Sequence, residues 1–502
     1  METIFNYFGN QLTKRMKFTL FISFVAGLLI HLYIITNGLV NRDTMYNYYS
    51  PQDMSKSGRF TLTYLAGIGS YFDLHLVNGL LAILYLALSV TLLVELLNLE
   101  SKLTILLTAC LYIAFPTVSG IFAYMFTADG YQLGSLLAIL SIFCIKKIKN
   151  HAIAIIAASL LIYLSLGAYQ ANLALVLTLG LVILVKDILD KNILLSFYVK
   201  SIISIIIGLG LYVIHFKLYE KYSKNGLTDY KGINESGKIS SDHIVKTIDN
   251  ALQEFVKFFF NSGSLDNNFE KFNFVYFIFL GTMLILFIIL KKLSVMKIIL
   301  LVAIAAIFPF ITHIILFISP KVEYHILMKQ NLSLLFVIGV LIVDRFYKSR
   351  SVILTCINLL FTFSIFLIAF NNIIITNIYY EKFDDVNKQT FSLMTQIAHD
   401  IRHQEGYRDG LHIIVLGTPT ARISVSDRYN RVPENTGVSP TVIYDSNTFV
   451  HYMNNEIGLQ INTPKNMDQF MRKHQDEINS LNSWPNNSSI TLIEDTIVIN
   501  LK

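Results

Sequence analysis

Charge is what this 502-residue sequence has least of. Asp, Glu, Lys and Arg make up 15% of it, against about 25% in an ordinary soluble protein. With 54% hydrophobic residues beside that scarcity, a soluble globular enzyme is excluded. Cysteine is nearly absent, and Cys110, Cys144 and Cys356 all fall inside apolar runs, so no disulfide framework is expected. No Cys/His cluster occurs, and His313 and His325 have no further donors at ligand spacing, so neither a metal centre nor a cofactor is expected. No internal repeat is visible, which weighs against a transporter built from inverted repeats. The first apolar run is too long for the core of a signal peptide and no small-residue cleavage site follows it, so no cleaved leader is expected. The net charge of +6 comes from basic residues in short loops, and no nucleic-acid partner is expected.

What the chain does have is apolar runs long enough to cross a hydrocarbon layer about 30 Å thick, which takes roughly 20 residues. Hydropathy predicts an α-helical polytopic membrane protein with about eleven spans, near 18–39, 74–97, 104–123, 131–146, 152–167, 171–186, 195–216, 273–290, 297–318, 331–347 and 351–374. The short fifth and sixth spans, joined by GAYQ, could alternatively form one re-entrant hairpin. Basic residues recur in every second connection: Lys14, Arg15 and Lys17; Lys102; Lys146, Lys147 and Lys149; Lys186 and Lys191; Lys291, Lys292 and Lys297; Arg345, Lys348 and Arg350. The positive-inside rule makes those loops cytoplasmic, so the N-terminus is expected inside and the C-terminus outside the cytoplasmic membrane. The expected organisation is a transmembrane domain over 1–375, with outer loops 40–73, 116–130, 217–272 and 319–330, and a small extracytoplasmic α/β domain over 376–502. In that tail LHIIVLG and TVIYD read as strands, FMRKHQDEINSL as helix, and SITLIEDTIVINLK as a hairpin turning at Glu494-Asp495. The tail holds 11 Lys and Arg against 15 Asp and Glu, so it is no polybasic membrane clamp.

Four polar constellations stand out on the expected outer face. NRDTMYNYYSPQDMSKSGRF, residues 41–60, places Asp43 just past the first span and Arg59 at the start of the stretch RFTLTYLAGIGSYF, expected to rest in the interface. A carboxylate there suits general-base work on a sugar hydroxyl. Arginine's planar fork suits a lipid phosphate, although Tyr, Arg and Lys also gather at membrane surfaces as anchors. FPTVSGIFAYMFTADGYQLG carries Asp129 before a span, where capping of the helix is the plain alternative. LSLGAYQANLAL carries Gln170 and Asn172 beside a glycine, where interhelical hydrogen bonding is the plain alternative. SPKVEYHILMKQ crowds Lys321, Glu323, His325 and Lys329 into one loop, favouring an anionic headgroup or simply snorkelling into solvent.

Taken together, these motifs resemble the O-antigen glucosyltransferase family of serotype-converting phages and its relatives in Gram-positive cell-wall polysaccharide loci. The matching features are an acid after the first span (Asp43), a G-R pair about fifteen residues on (Gly58-Arg59), AYMFTADGYQLG before the fourth span, SLGAYQ, and a tail closing with NSWPNNSSITLIEDTIVINLK. Members often carry two adjacent acids where this chain has Arg42-Asp43, which leaves Asp43 alone there. The resemblance implies a GT-C type fold, a polyprenyl-phosphate-linked sugar donor and inversion at the anomeric carbon.

The expected function is therefore transfer of one hexose from undecaprenyl-phosphate-hexose to a cell-surface polysaccharide. Asp43 is expected as the base. Arg59, Lys321 and Lys329 are expected on the donor phosphate, and Asp129, Tyr124, Tyr131, Tyr169, Gln170 and His325 on the sugar or acceptor. The rivals are a lipid-linked oligosaccharide flippase or other transporter, and a polysaccharide polymerase or ligase. A transporter would place charges along a mid-membrane path, whereas the acids here gather on one face.

Overall fold

The structure, a computed structural model, describes residues 12–223, 241–262, 268–319, 322–347, 351–419, 426–429, 432, 437, 442–464 and 466–502. Lys321, Lys348, Arg350 and most of the ARISVSDRYNRVPENTGVSP segment lie outside the described residues. The chain divides into two compact units, one formed by Met1–Thr36 and Ser50–Asn377, the other by Asn37–Tyr49 and Ile378–Lys502.

The larger unit is helical throughout. Its helices are α1 (Lys14–Asn37), α2 (Leu62–Ala66), α3 (His75–Leu97), α4 (Lys102–Ile113), α5 (Pro116–Phe122), α6 (Met125–Lys147), α7 (His151–Ala168), α8 (Asn172–Leu189), α9 (Leu195–Tyr222), α10 (Ser241–Phe260), α11 (Phe269–Lys291), α12 (Val295–Thr312), α13 (Ile314–Ile318) and α14 (Ser333–Phe346). A further helix, α15 (Val352–Arg402), runs unbroken for 51 residues. Among the described residues nine helices are long and apolar enough to cross a membrane, ten if α4 and α5 count as one span bent by 49°. Proline at the first position of α5 causes that bend, because it forces Phe115 before it into extended backbone. The expected span at 331–347 is a helix of only 14 residues, about 21 Å at 1.5 Å per residue, preceded by a turn of 3₁₀ helix over Gln330–Leu332. The fifth and sixth expected spans are two separate helices, α7 and α8.

Of the nine long apolar helices, α3, α6 and α8 are the most enclosed, whereas α9, α11 and α12 leave most of their surface outside the bundle. Their exposed faces carry Ile214, Ile289 and Val302, as expected of surfaces that meet acyl chains rather than water.

The basic connections converge on one end of this bundle. Arg15 at the start of α1 forms a two-point pair with Glu95 at the end of α3. Arg345 at the end of α14 pairs with Asp190 after α8 at 2.8 Å, and Lys186 reaches the same aspartate at 3.1 Å. Asp344 accepts from the backbone N–H of Ser101 at 2.9 Å, and Lys191 donates to the carbonyl of Lys291. Loops that hydropathy assigned to a single face therefore touch one another.

The smaller unit holds a three-stranded sheet ordered β1 (His412–Leu416), β3 (Thr496–Asn500), β2 (Ile490–Ile493). β1 runs parallel and β2 antiparallel to β3. The alternation of HIIVL sends Ile413 and Val415 into a core with Val386, Ile397 and Ile401 of α15, while Ile414 faces Ile478 and Val498. The β2–β3 turn falls at Glu494-Asp495 as expected, with Glu494 at φ +54°. TVIYD is not a strand in its described part. Asp445 instead caps α16 (Ser446–Tyr452) in a capping box with Thr448, whose N–H it accepts at 2.8 Å. FMRKHQDEINSL forms two short helices, α17 (Met467–Lys473) and α18 (Gln475–Asn479). α15 also carries residues 376–402, expected to belong to the separate tail, as uninterrupted helix.

Candidate active site

In the larger unit the site is built where two distant motifs meet. α7 ends at Ala168 and α8 begins at Asn172, with Tyr169 between them in extended backbone. The SGRF turn docks against this break. Thr61 donates from its backbone N–H to the carbonyl of Gly167 at 3.0 Å and from its hydroxyl to that of Leu164 at 2.7 Å. Gly167 permits the approach, since a Cβ there would stand 2.8 Å from the Thr61 side chain. Gly58, at φ +75°, has its carbonyl held by the Tyr212 hydroxyl at 3.0 Å, while Gln170 donates to the carbonyl of Ser57 at 2.8 Å. Any Cβ on Gly58 would meet Tyr212 Oη at 2.7 Å and Gln170 Nε2 at 2.8 Å.

This docking delivers Arg59 to a tyrosine pair. Its Nη1 donates to Tyr131 Oη at 2.8 Å, and its guanidinium lies 5.2 Å from the ring centroid of Tyr169 and 5.7 Å from that of Tyr131. The two rings meet edge-on at 5.0 Å. A small pocket opens beside them, lined by Tyr131, Ser135, Tyr169, Asn172, Met328 and Gln330 among others. Arg59, Tyr131, Tyr169 and Gln170 are thus brought together. Asn172 ties α6, α7 and α8, accepting from Ser135 and donating to the carbonyl of Ser165, which is the interhelical role weighed for it above.

Asp129 does not cap a helix. α6 begins six residues earlier than the expected span, at Met125, so Asp129 sits a turn inside, fully buried, with one carboxylate oxygen accepting the N–H of Gly130 at 2.8 Å. Tyr124 precedes α6 and faces Phe126 edge-on at 6.2 Å. Lys329 is no snorkelling side chain: it is 8% exposed, paired with Glu254 of α10 at 2.9 Å, and lies 5.1 Å from the ring centroid of Tyr324 and 5.6 Å from that of Phe258. Burial lowers the pKa of its ammonium group and Glu254 opposes that. His325 stands half-buried at the head of the 3₁₀ turn Ile326–Met328 that leads to the pocket. Lys321 lies outside the described residues. Glu254, Thr61 and Tyr212 were not singled out in the sequence, and no local spacing signals the first, which lies 75 residues from Lys329.

Asp43 belongs to the smaller unit. It is exposed, and its backbone N–H is held by the Asn41 side chain at 3.0 Å, which also accepts from Thr44. Arg42 beside it turns to Tyr444, at 4.9 Å, and to Asp445. Val40 and Met45 enter the core of the unit, and the Tyr48 hydroxyl donates to Glu456. Among the described residues no three His, Cys, Asp or Glu side chains are grouped to hold a metal ion.

A bundle of apolar helices with an arginine–tyrosine site at a break between two spans defines a multi-pass membrane protein with a polar site among its helix ends. A model of the glucosyl transferase GtrII family matches residues 32–343, more than half of the chain, and the protein belongs to that family of membrane glycosyltransferases. Neither a curated protein nor a solved structure matches it. The match spans Asp43, Arg59, Asp129, Gln170 and Lys329 and ends before the smaller unit's sheet.

Proposed function

We propose that this glycosyltransferase moves one hexose from a polyprenyl-phosphate-linked donor to a cell-surface polysaccharide, on the outer face of a bacterial cytoplasmic membrane. The observation that supports this best is the setting of Arg59, a planar cation fixed over two tyrosine rings at the ends of spans, the depth at which a lipid phosphate lies. Arg59 contacts the donor phosphate and stabilises it as a leaving group. Lys329 is a secondary contact, its charge shared with Glu254. Tyr131 and Tyr169 offer ring faces to the sugar, and Gln170 acts as a positioning residue through Ser57. Asp43 takes the proton of the acceptor hydroxyl. That oxygen bonds to the anomeric carbon as the bond from carbon to phosphate oxygen breaks, and the phosphate departs with the electron pair.

Purified protein in nanodiscs, supplied with synthetic undecaprenyl-phosphate-hexose and surface polysaccharide, is expected to transfer the sugar. Transfer from a nucleotide sugar alone, with the lipid-linked sugar inert, would overturn the reading.

A further inference from the structure

A second polar cluster lies in the larger unit where the first turns of α3 and α6 pack together. Asp73 and His75 flank the start of α3 and contact each other at 3.3 Å, the Asp73 side chain being 3% exposed. Asn78, one turn on, is fully buried and donates to the carbonyl of Met125 in the first turn of α6. On α6 the fully buried Asp129 lies close enough to Asp73 to interact with it electrostatically. Gln132, 1% exposed, follows Asp129 by three residues, on an adjoining face of the same helix. Ser135, three residues further, lines the pocket beside Tyr169. Asp129, Gln132 and Ser135 therefore follow one another at three-residue steps along α6, from the α3 contact to the pocket.

This cluster is rich in unsatisfied hydrogen-bonding capacity. Both amide atoms of Gln132, Oδ2 of Asp129, Oδ1 of Asn78, Oδ1 of Asp73 and Nδ1 of His75 are buried without a hydrogen-bond partner among the described residues. Leaving such groups unmet costs free energy, and most buried polar atoms in native proteins are satisfied. Amides and an imidazole both give and accept hydrogen bonds and carboxylates accept them, which matches hydroxyl groups that each do both.

We infer that Asp73, Asn78, Asp129 and Gln132 form a subsite for the hydroxyl groups of a sugar. This rests on the proposed lipid-linked donor and assigns its hexose to the α3–α6 junction, with the phosphate at Arg59.

The test compares binding of bare undecaprenyl phosphate and of undecaprenyl-phosphate-glucose to the full-length protein in nanodiscs. The parent is expected to bind the glucosylated lipid more tightly. Gln132→Leu and Asp73→Asn should each cut that preference roughly tenfold, the worth of one hydrogen bond to a polar or charged group, while bare-lipid affinity stays at the parental value. Gln132→Leu should also melt no lower than the parent without lipid, because leucine removes two unpartnered atoms. A full parental preference in both variants would overturn the subsite and leave the cluster to buried water. Equal binding of both lipids by the parent would overturn it as well. Failure of the parent to bind either lipid would instead refute the donor reading and take the subsite with it.

Discussion

The side-chain amide of Gln170 donates to the backbone carbonyl of Ser57 across 2.8 Å, joining residues 113 positions apart. The bond fastens the loop carrying Arg59 to the break between two helices, so the arginine's place is set by backbone contacts rather than by its own flexible side chain.

Gly58→Ala should break this docking. The new Cβ would press on Tyr212 and Gln170 at a φ of +75°, costing about 1–3 kcal/mol. Gly38→Ala serves as comparison, since Gly38 also has positive φ but, among the described residues, nothing within 4 Å of its Cβ position. Thermal melts and transfer assays should show the larger loss for Gly58→Ala; equal losses would mean that the Gly58 contacts contribute nothing.

Arg59→Lys replaces a two-point fork with a point charge. The fold should persist while donor use weakens by about 1–3 kcal/mol, read as a fall in kcat/KM. Parental donor use would reduce the arginine to an interfacial anchor.

Asp43→Asn keeps shape and hydrogen bonding but cannot accept a proton at neutral pH. Transfer should fall by about 10²–10⁴-fold with donor binding intact. Retention of more than about a tenth of parental transfer lies outside that range and would remove Asp43 from the role of base.

Glu254→Gln should destabilise the protein at neutral pH by roughly 1–3 kcal/mol. That is less than the ~3–5 kcal/mol for a fully buried pair, because Glu254 keeps 28% side-chain exposure. Lys329 already has a lowered pKa from burial, so the unfolded chain holds its proton to higher pH and stability rises with pH between the folded and unfolded values. Removing Glu254 lowers the folded value further. The deficit of the variant should therefore shrink as melts are taken at pH rising toward the ordinary lysine range; a deficit independent of pH would assign the loss to packing.

A reporter active only in the cytoplasm, fused after Lys502, should stay silent. Strong activity would reverse the orientation drawn from the basic loops and, with it, the outer-face reaction.

Hydropathy made the helical bundle legible, because partition into hydrocarbon depends on composition averaged over a span. It did not reveal where helices stop. Hydropathy ends the last span near residue 374, but helix propagation is indifferent to that boundary and α15 continues to Arg402. TVIYD has strand composition, yet the Asp445–Thr448 capping box commits its end to a helix start. In the site, Arg59 with the GAYQ motif could be read from residue type and spacing. Asn78 and Gln132 could not, because a single amide in an apolar run looks the same whether it ties helices together or awaits a ligand.

The smaller unit is assembled from two stretches of chain, Asn37–Tyr49 and Ile378–Lys502, and Val40 and Met45 of the first are buried in its core. Exchange of the C-terminal region between relatives is therefore not a one-crossover event. A chimaera that took residues 378–502 from a homologue would set foreign side chains against the native Val40 and Met45, whereas one that also took residues 37–49 would inherit a matched core. Recombination that respects this pairing would move Asp43 together with the tail, so the two would be inherited as one cassette.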